Sequence, residues 1–374
     1  MEEWADGPAR PEAPADARVR GRFPPLFRAG LLSRTRGFLS RTGTFRRVTV
    51  TAAVVVVPAV VIVLFRHRLA QSLQVLGTAN PWWLLLALAA EAVSLTAFGM
   101  SRRGLLLANG DRISLRSVLA TTYASNALSL TVPFAGTELA VVFSFREFRN
   151  KGLDAAITSW ALTVSWICSL SSLALLLVAG AVAEGTTAAS AAGFAGAALY
   201  LLPGAGALLA LRFDRVRAAL VSALTWLAGL SKRAFGRPRH GAAGLDRFLD
   251  EVSVTRLSLP GYAWVFALAV ANWAFDCAAL AFAIRAVGQP VPWDDLLLVY
   301  GAGAAVGSTG LTPGGFTLVE LALTAALTAS GLKADHALAA VLAYRVVNFW
   351  LVLLGGWITM GFLTHPLRRR RLRQ

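Results

Sequence analysis

Long apolar segments separated by basic loops constrain this chain more than any other feature. Six of these segments have the length that an α-helix needs to cross a membrane: residues 48–65, 82–100, 155–180, 188–211, 262–284 and 337–362. Hydrophobic residues make up 56% of the chain and the mean hydropathy is +0.60, which is more than a soluble core requires. The sequence therefore predicts an all-α, polytopic membrane protein with six full spans.

The basic residues indicate how the chain lies in the membrane. Lys and Arg number 36 against 20 Asp and Glu, which gives a formal net charge of +16. Most of them lie in loops and ends that the topology assigns to one side, so membrane orientation explains them better than nucleic acid does. Abundant Ala and a preference for Arg over Lys are typical of a GC-rich bacterial genome. We therefore expect a bacterial inner-membrane protein with cytoplasmic N- and C-termini and no nucleic-acid partner.

The same pattern divides the chain into regions. Residues 1–47 are rich in Pro, Gly and Arg without sustained periodicity, which predicts a disordered basic cytoplasmic arm. Residues 48–362 form the transmembrane domain, which a basic cytoplasmic loop at 212–258 interrupts. Residues 363–374 form a basic cytoplasmic tail.

One stretch cannot form an ordinary membrane helix. Residues 307–320 read Gly-Ser-Thr-Gly-Leu-Thr-Pro-Gly-Gly-Phe-Thr-Leu-Val-Glu. Pro313 lacks a backbone donor and the glycines permit unusual backbone angles, so the helix entering from Leu296 should stop near Leu311, and another can start at Phe316. Each piece is too short to cross the membrane, which predicts a re-entrant hairpin of two half-helices over residues 296–330. The backbone groups that such a break exposes make it a candidate site for a polar substrate group.

A second copy of this pattern lies upstream. Residues 130–140 read Leu-Thr-Val-Pro-Phe-Ala-Gly-Thr-Glu-Leu-Ala, and both stretches share Leu-Thr, Pro, Gly and a final Glu-Leu-Ala. This predicts another re-entrant hairpin over residues 119–145, which opens inward, whereas the hairpin at 296–330 opens outward. Two units of span, hairpin and span, over residues 82–180 and 262–362, would then form an inverted-topology repeat.

Five ionisable residues fall inside apolar segments: Glu91, Glu138, Asp276, Glu320 and Arg345. Each unpaired one would cost about 2.5 to 3.5 kcal/mol in the membrane, so each must be protonated, paired or facing a hydrated cavity. Arg345 is effectively always charged. It either pairs permanently with Glu320 or Asp276, or binds a lipid phosphate together with the half-helix N-termini. Glu91 by itself fits a helix-packing residue equally well.

The candidate substrate-binding residues are the charged, amide and helix-breaking residues that this topology places near the membrane midplane. They are Glu91, Asn126, Pro133, Gly136, Glu138, Asp276, Pro313, Gly314, Gly315, Glu320, Arg345 and Asn348. Asn126 and Asn348 also fit interhelical hydrogen bonding. Cys168 and Cys277 fit small buried residues, and the four histidines show no ligand spacing. We therefore expect no metal, no cofactor and no catalytic residue.

Three motifs occur together in this chain. They are Pro313-Gly-Gly-Phe-Thr-Leu-Val-Glu320, then Tyr344-Arg345 before Asn348-Phe-Trp350, and the earlier Asn126 with Pro133-Phe-Ala-Gly136-Thr-Glu138. This combination resembles the flippase-like transmembrane region of lysylphosphatidylglycerol synthases and its stand-alone relatives, over residues 48–362. The resemblance implies a polytopic inner-membrane protein that binds or moves a lipid, with the Pro-Gly hairpins and Arg345 as the shared core.

The chain departs from the family pattern in three places. Family members often carry Gly-Leu-Gly where this chain has Gly315-Phe316-Thr317, and a Gly-Glu pair where it has Gly136-Thr137-Glu138. The synthases also carry a cytoplasmic aminoacyltransferase domain, whereas this chain stops at Gln374. We therefore expect no lipid aminoacylation from this polypeptide.

Three functions fit these observations. The leading one is a non-enzymatic, flippase-like protein that binds and translocates an anionic phospholipid or a lipid-linked anionic substrate. The alternatives are a membrane-embedded transferase that uses Glu138 or Glu320 as a base, and a non-transporting partner that docks a soluble enzyme through residues 212–258. Membrane lipids are the expected partners, and a homodimer and a cytoplasmic enzyme partner stay open.

Overall fold

The structure is a computed structural model of the chain. It describes residues 77–108, 112–132, 135–185, 257–308 and 312–364, together with isolated positions between 63 and 74 and between 194 and 201. Outside the described residues lie Pro133, almost all of the predicted spans 48–65 and 188–211, the arm 1–47, residues 212–256 of the loop and the tail beyond Thr364.

The described residues fold into helices without strands. These are α1 (Pro81–Leu106), α2 (Leu115–Thr131), α3 (Gly136–Asn150), α4 (Ala155–Glu184), α5 (Leu259–Ala286), α6 (Leu296–Ser308), a 3₁₀ turn (Pro313–Gly315), α7 (Leu318–Ala329) and α8 (Ala334–Thr364). A π-helical segment, Val346–Leu351, lies in the middle of α8.

Four of the described helices are long and apolar enough to cross a membrane. They are α1, α4, α5 and α8, which match the predicted spans 82–100, 155–180, 262–284 and 337–362. Each observed helix is longer than its predicted span, and polar residues cap the helix starts. Asn80 accepts a hydrogen bond from the backbone N–H of Trp82 at 3.0 Å, and Asp154 accepts one from Ala156 at 2.8 Å. These apolar helices make the chain a multi-pass membrane protein.

Both predicted breaks are present. In the first, α2 ends at Thr131 and α3 begins at Gly136. In the second, α6 ends at Ser308, the 3₁₀ turn follows, and α7 begins at Leu318. The predicted start at Phe316 is therefore two residues too early, because Phe316 is extended (φ −55°, ψ 139°) and Thr317 has a positive φ of 72°. Residues 309–311, where the prediction ends the entering helix, lie outside the described part.

Helices α1 and α5, the first helices of the two predicted units, pack antiparallel along their whole length. At one end, the backbone N–H of Asn80 donates to the carbonyl of Ala286 at 2.8 Å. In the middle, Asn272 Nδ2 donates to Ser94 Oγ at 2.7 Å. At the other end, the Ser101 hydroxyl donates to the Val265 carbonyl at 3.3 Å. An inverted repeat requires this opposite direction of its first helices.

The last helix of each unit approaches the first half-helix of the other unit at a glycine. A Cβ atom on Gly180 of α4 would lie 2.7 Å from Leu297 Cβ of α6, and one on Gly356 of α8 would lie 2.4 Å from the Tyr123 carbonyl of α2. Helix α4 therefore packs on α6 as α8 packs on α2. The two predicted units therefore make equivalent contacts with each other.

The outer surface of the described helices is apolar. Large hydrophobic side chains such as Trp82, Leu259, Trp264, Ile358 and Phe362 are exposed. Aliphatic and alanine side chains from α1, α4, α5, α6, α7 and α8 fill the core between the helices. An apolar exterior is what a hydrocarbon surrounding requires, and it makes the few buried charges inside the core conspicuous.

Candidate substrate site

A buried ion pair lies where the second broken segment meets α8. Arg345 Nε donates to Glu320 Oε1 at 2.7 Å, and Arg345 Nη2 donates to the Gly314 carbonyl at 2.8 Å. The Arg345 guanidinium also lies 4.7 Å from the centre of the Phe349 ring and 5.7 Å from that of Phe316. Arg345 is only 3% exposed, so this cation is held inside the protein by one carboxylate, one carbonyl and two aromatic faces.

The ion pair leaves hydrogen-bonding capacity on both partners. A guanidinium has five N–H donors, and the described residues accept hydrogen bonds from Arg345 only at Nε and Nη2. On the other side, Glu320 Oε2 is buried and has no hydrogen-bond partner among the described residues. A free donor group and an orphaned acceptor therefore flank one salt bridge.

The local sequence explains how Glu320 and the Gly314 carbonyl reach Arg345. Gly314 and Gly315 have φ values of +56° and +68°, which turn the chain between the half-helices. A Cβ atom on Gly314 would lie 2.3 Å from the Phe349 ring, so a larger residue would displace the wall of the site. Glu320 then lies in the first turn of α7, where the helix dipole favours a carboxylate.

A second, partly buried cluster surrounds the carboxyl group of Asp276 on α5. Asp276 Oδ1 accepts hydrogen bonds from the Tyr344 hydroxyl at 2.7 Å and from Asn348 Nδ2 at 3.0 Å. Asp276 Oδ2 accepts one from the Tyr300 hydroxyl at 2.7 Å. Glu91 of α1, which is buried, lies next to the side chains of Asp276 and Asn348. Its Oε2 has no hydrogen-bond partner among the described residues.

One turn of α8 joins the two clusters. Tyr344 and Asn348 reach Asp276, while Arg345, between them in sequence, reaches Glu320. The π-helical segment begins directly after Arg345 and includes Asn348. Such wide turns are rare and occur mostly at functional sites.

Four further candidate residues are described, and none of them bonds to either cluster: Asn126, Gly136, Glu138 and Pro313. Pro313 opens the 3₁₀ turn. Asn126 is half-buried on α2. Gly136 is buried at the start of α3, where a Cβ atom would lie 2.3 Å from the Ser129 carbonyl. Glu138 is exposed in the first turn of α3 and has no ion pair with a described residue. The structure therefore brings together four of the five membrane charges, with Glu138 outside the group.

Two residues of the Asp276 cluster, Tyr300 and Tyr344, were not among the candidate residues, although Tyr344 is part of the motif Tyr344-Arg345. Tyr300 lies in α6 and Tyr344 in α8, and both are buried residues in the interior of apolar helices. A buried tyrosine hydroxyl usually needs a partner, so their positions in apolar segments were a usable signal. The π-helical segment had no signal in the sequence, because its residues, Val-Val-Asn-Phe-Trp-Leu, fit an ordinary helix.

A surface pocket lies elsewhere, between the α5–α6 and α7–α8 loops. Its volume is about 440 Å³, and its walls include Gln289, Pro292, Ser330, Lys333 and His336. None of the clustered residues lines it. Within the described part of the chain, no group of three or more His, Cys, Asp or Glu residues could hold a metal ion.

Comparison with known proteins identifies the family. No curated protein matches the chain. The family model described as the lysylphosphatidylglycerol synthase TM region matches residues 50–356, which include every candidate residue and both broken segments. With most of its length matched, this chain belongs to the lysylphosphatidylglycerol synthase TM region family.

Proposed function

We propose that this protein binds the headgroup of an anionic phospholipid, or of a lipid-linked anionic substrate, and translocates it across the bilayer. The observation that carries the proposal is the incompletely satisfied ion pair of Arg345 and Glu320. A phosphate accepts hydrogen bonds from a guanidinium, and a headgroup hydroxyl or ammonium donates to a carboxylate. A phospholipid headgroup therefore offers partners for both unsatisfied groups.

The free-energy cost of burying the Arg345–Glu320 ion pair favours a functional role for it over a purely stabilising one. Replacing a buried salt bridge by apolar residues is often neutral or stabilising, so a buried ion pair is weak evidence for a stabilising role. Here the pair also leaves Glu320 Oε2 without a partner, and an orphaned buried acceptor costs about 1 to 3 kcal/mol. A headgroup that reaches Oε2 would recover part of this cost on binding.

The architecture that we propose for translocation has six spans and two re-entrant hairpins in an inverted repeat. Support comes from the antiparallel pairing of α1 with α5 and from the equivalent glycine contacts of Gly180 and Gly356. In such repeats, one unit can rock against the other around a central site. We place the protein in a bacterial inner membrane with both termini in the cytoplasm, because that orientation puts most basic residues inside.

The transferase alternative is less well supported by the geometry. Glu320 Oε1 is already occupied by the Arg345 guanidinium, and Glu138 lies exposed outside the clusters. No specific observation favours docking of a soluble enzyme, because residues 212–256 lie outside the described part.

Translocation by reconstituted protein tests the proposal. The full chain in liposomes should move phosphatidylglycerol with a fluorescent acyl chain between leaflets, which a membrane-impermeant quencher reports. Arg345→Ala should lower the rate at least about tenfold, because a charge-assisted hydrogen bond contributes about 1.5 to 3 kcal/mol. Arg345→Lys keeps the charge without the guanidinium fork and should be intermediate.

Arg285→Ala is the matched control, because Arg285 is an exposed arginine at the end of α5. It should keep the parent rate. Arg345→Ala protein that elutes as a single species and still moves the lipid at the parent rate would remove Arg345 from the mechanism.

A further inference from the structure

The two carboxyl groups of Glu91 and Asp276 occupy corresponding positions in the two units. Glu91 precedes Pro133 by 42 residues and Asp276 precedes Pro313 by 37, each on the first helix of its unit. Because α1 and α5 are antiparallel, these positions meet where the helices pack against each other. The carboxyl pair therefore lies between the two units.

The hydrogen bonds at the pair indicate its charge. Asp276 accepts from three neutral donors, two hydroxyls and one amide, which is the arrangement of an ionised carboxylate. In the described part of the chain, neither Glu91 nor Asp276 has an ion pair with Lys, Arg or His. Two carboxyl groups in contact cannot both ionise in a poorly solvated interior. The pair therefore holds a proton, carried by Glu91 and donated to Asp276.

Other titratable groups around the pair come from several helices. None of these described groups forms an ion pair with the negative charge that Glu91 and Asp276 share. The groups are Tyr123 from α2, Tyr300 from α6, Tyr344 and Arg345 from α8, and Cys277 beside Asp276 on α5. Arg345 is the one cation of this group, and its guanidinium bonds Glu320 and the Gly314 carbonyl instead. Helix α4 packs on α1 and α5. There, the Ser169 carbonyl and hydroxyl oxygens accept hydrogen bonds from Trp273 Nε1.

We propose that Glu91 and Asp276 form a proton-binding site that couples proton movement to the alternation between the two units. The proposal rests on the translocation function above and names its coupling ion. With one proton the pair is anionic, and Asp276 holds Tyr300 of α6 together with Tyr344 and Asn348 of α8. Uptake of a second proton forms an O–H bond on Asp276 and removes that charge. Release of the proton restores it.

The second proton would loosen contacts between helices. Hydrogen bonds to an ionised group are roughly twice as strong as neutral ones, so neutralising Asp276 weakens three of them together. Two of the donors, Tyr344 and Asn348, lie in the same turn of α8 as Arg345. A shift of this turn would also move the guanidinium away from Glu320. Proton binding and headgroup binding are therefore linked through α8.

The donor set favours a proton over a sodium ion. A sodium ion needs several oxygen atoms with free lone pairs. Here the Asp276 oxygens accept from two hydroxyls, and Asn348 presents its amino group to Asp276. A proton needs only the two carboxyl oxygens that face each other. Sodium dependence is therefore the outcome that the geometry disfavours.

Proton binding can be measured without transport. In pH-difference infrared spectra of the purified full-length protein in detergent, a carboxylic acid C=O band should appear as the pH falls. Glu91→Gln and Asp276→Asn should each remove or displace this band. Asp294→Asn, which changes an exposed carboxylate in the α5–α6 loop, should retain it. A band unchanged in both pair variants would overturn the proposal.

Tyr300→Phe gives a second variant in case the pair substitutions impair folding. It removes one donor from ionised Asp276, so the second proton should bind more readily and the midpoint of the band should move to higher pH. A midpoint that stays at the parent value would count against the site.

Coupling is measured in liposomes whose membrane potential is clamped with potassium and valinomycin. A gradient of about one pH unit should bias phosphatidylglycerol movement by up to about tenfold in the parent protein and in Asp294→Asn. The rate of phosphatidylglycerol movement with the pH gradient, divided by the rate without it, should fall to one in Glu91→Gln and Asp276→Asn. A sodium gradient should leave the parent ratio at one.

The outcomes separate the two proposals. If lipid moves but the parent ratio stays at one, or follows sodium, proton coupling is wrong and translocation stands. If no lipid moves while the infrared band titrates through Glu91 and Asp276, the translocation function fails and the proton site stands.

Discussion

Thr317 has a backbone conformation that suits glycine. It is the one non-glycine residue with a positive φ in the described part of the chain, at φ 72° and ψ −46°. A β-branched residue there is strained by about 1 to 3 kcal/mol. Thr317 lies three residues before Glu320, so the strained residue adjoins the ion pair. Strain of this kind commonly persists where a site depends on the local backbone.

Thr317→Gly should therefore raise the thermal stability of the protein in detergent. Relief of strain exceeds the extra chain entropy of glycine, which costs about 0.5 to 1 kcal/mol, so we expect a net gain of about 1 kcal/mol. Thr328→Gly is the control, because Thr328 lies inside α7 and glycine there should lower stability by about 0.3 kcal/mol through helix propensity. Equal losses of Tm in the two variants would show that Thr317 is unstrained.

At the scale of elements, adjacent glycines on α8 distinguish helix packing from helix propensity. Gly356 faces α2, where an added Cβ atom would lie 2.4 Å from the Tyr123 carbonyl and 2.5 Å from Ala127 Cβ. Gly355 has no atom within 4 Å of an added Cβ. Neither glycine has a positive φ. The contact of α8 with α2 therefore depends on Gly356 and not on Gly355.

Gly356→Ala should destabilise the protein by about 1 to 3 kcal/mol, because backbone must move to admit the methyl group. Gly355→Ala should be neutral or stabilise by up to about 1 kcal/mol, since alanine favours helix. Thermal unfolding of the two variants in the same detergent makes the comparison. Similar stabilities would mean that α8 does not pack on α2 as described.

The sequence predicted the elements better than the site. The four described spans and both breaks followed from apolar length and from Pro and Gly, which act locally. The start of α7 was misplaced because the positive φ of Thr317 is imposed on a residue that disfavours it. Glu320, Asp276 and Arg345 were identifiable because a charge in an apolar segment is costly. Buried tyrosines in apolar segments were a signal for Tyr300 and Tyr344, but their pairing with Asp276, like that of the Gly314 carbonyl with Arg345, was not identifiable because tertiary packing selects it.

At the scale of the whole molecule, the carboxyl pair lies between the two predicted units, and the ion pair lies beside it within the second unit. Glu91 comes from the first unit, whereas Asp276, Glu320 and Arg345 come from the second. A rocking motion between the units would change the surroundings of both pairs together. This shared position is why we assign the headgroup and the coupling proton to neighbouring sites.

The proposed translocation requires that a lipid headgroup reach Arg345. Phosphatidylglycerol with a photoreactive group on its headgroup, activated in liposomes that contain the full chain, tests this directly by peptide mapping. Cross-links should fall on residues 312–320 and 344–350 and should decline in Arg345→Ala but not in Arg285→Ala. Cross-links confined to outward-facing residues such as Trp82 and Phe362 would contradict a headgroup path through the buried ion pair.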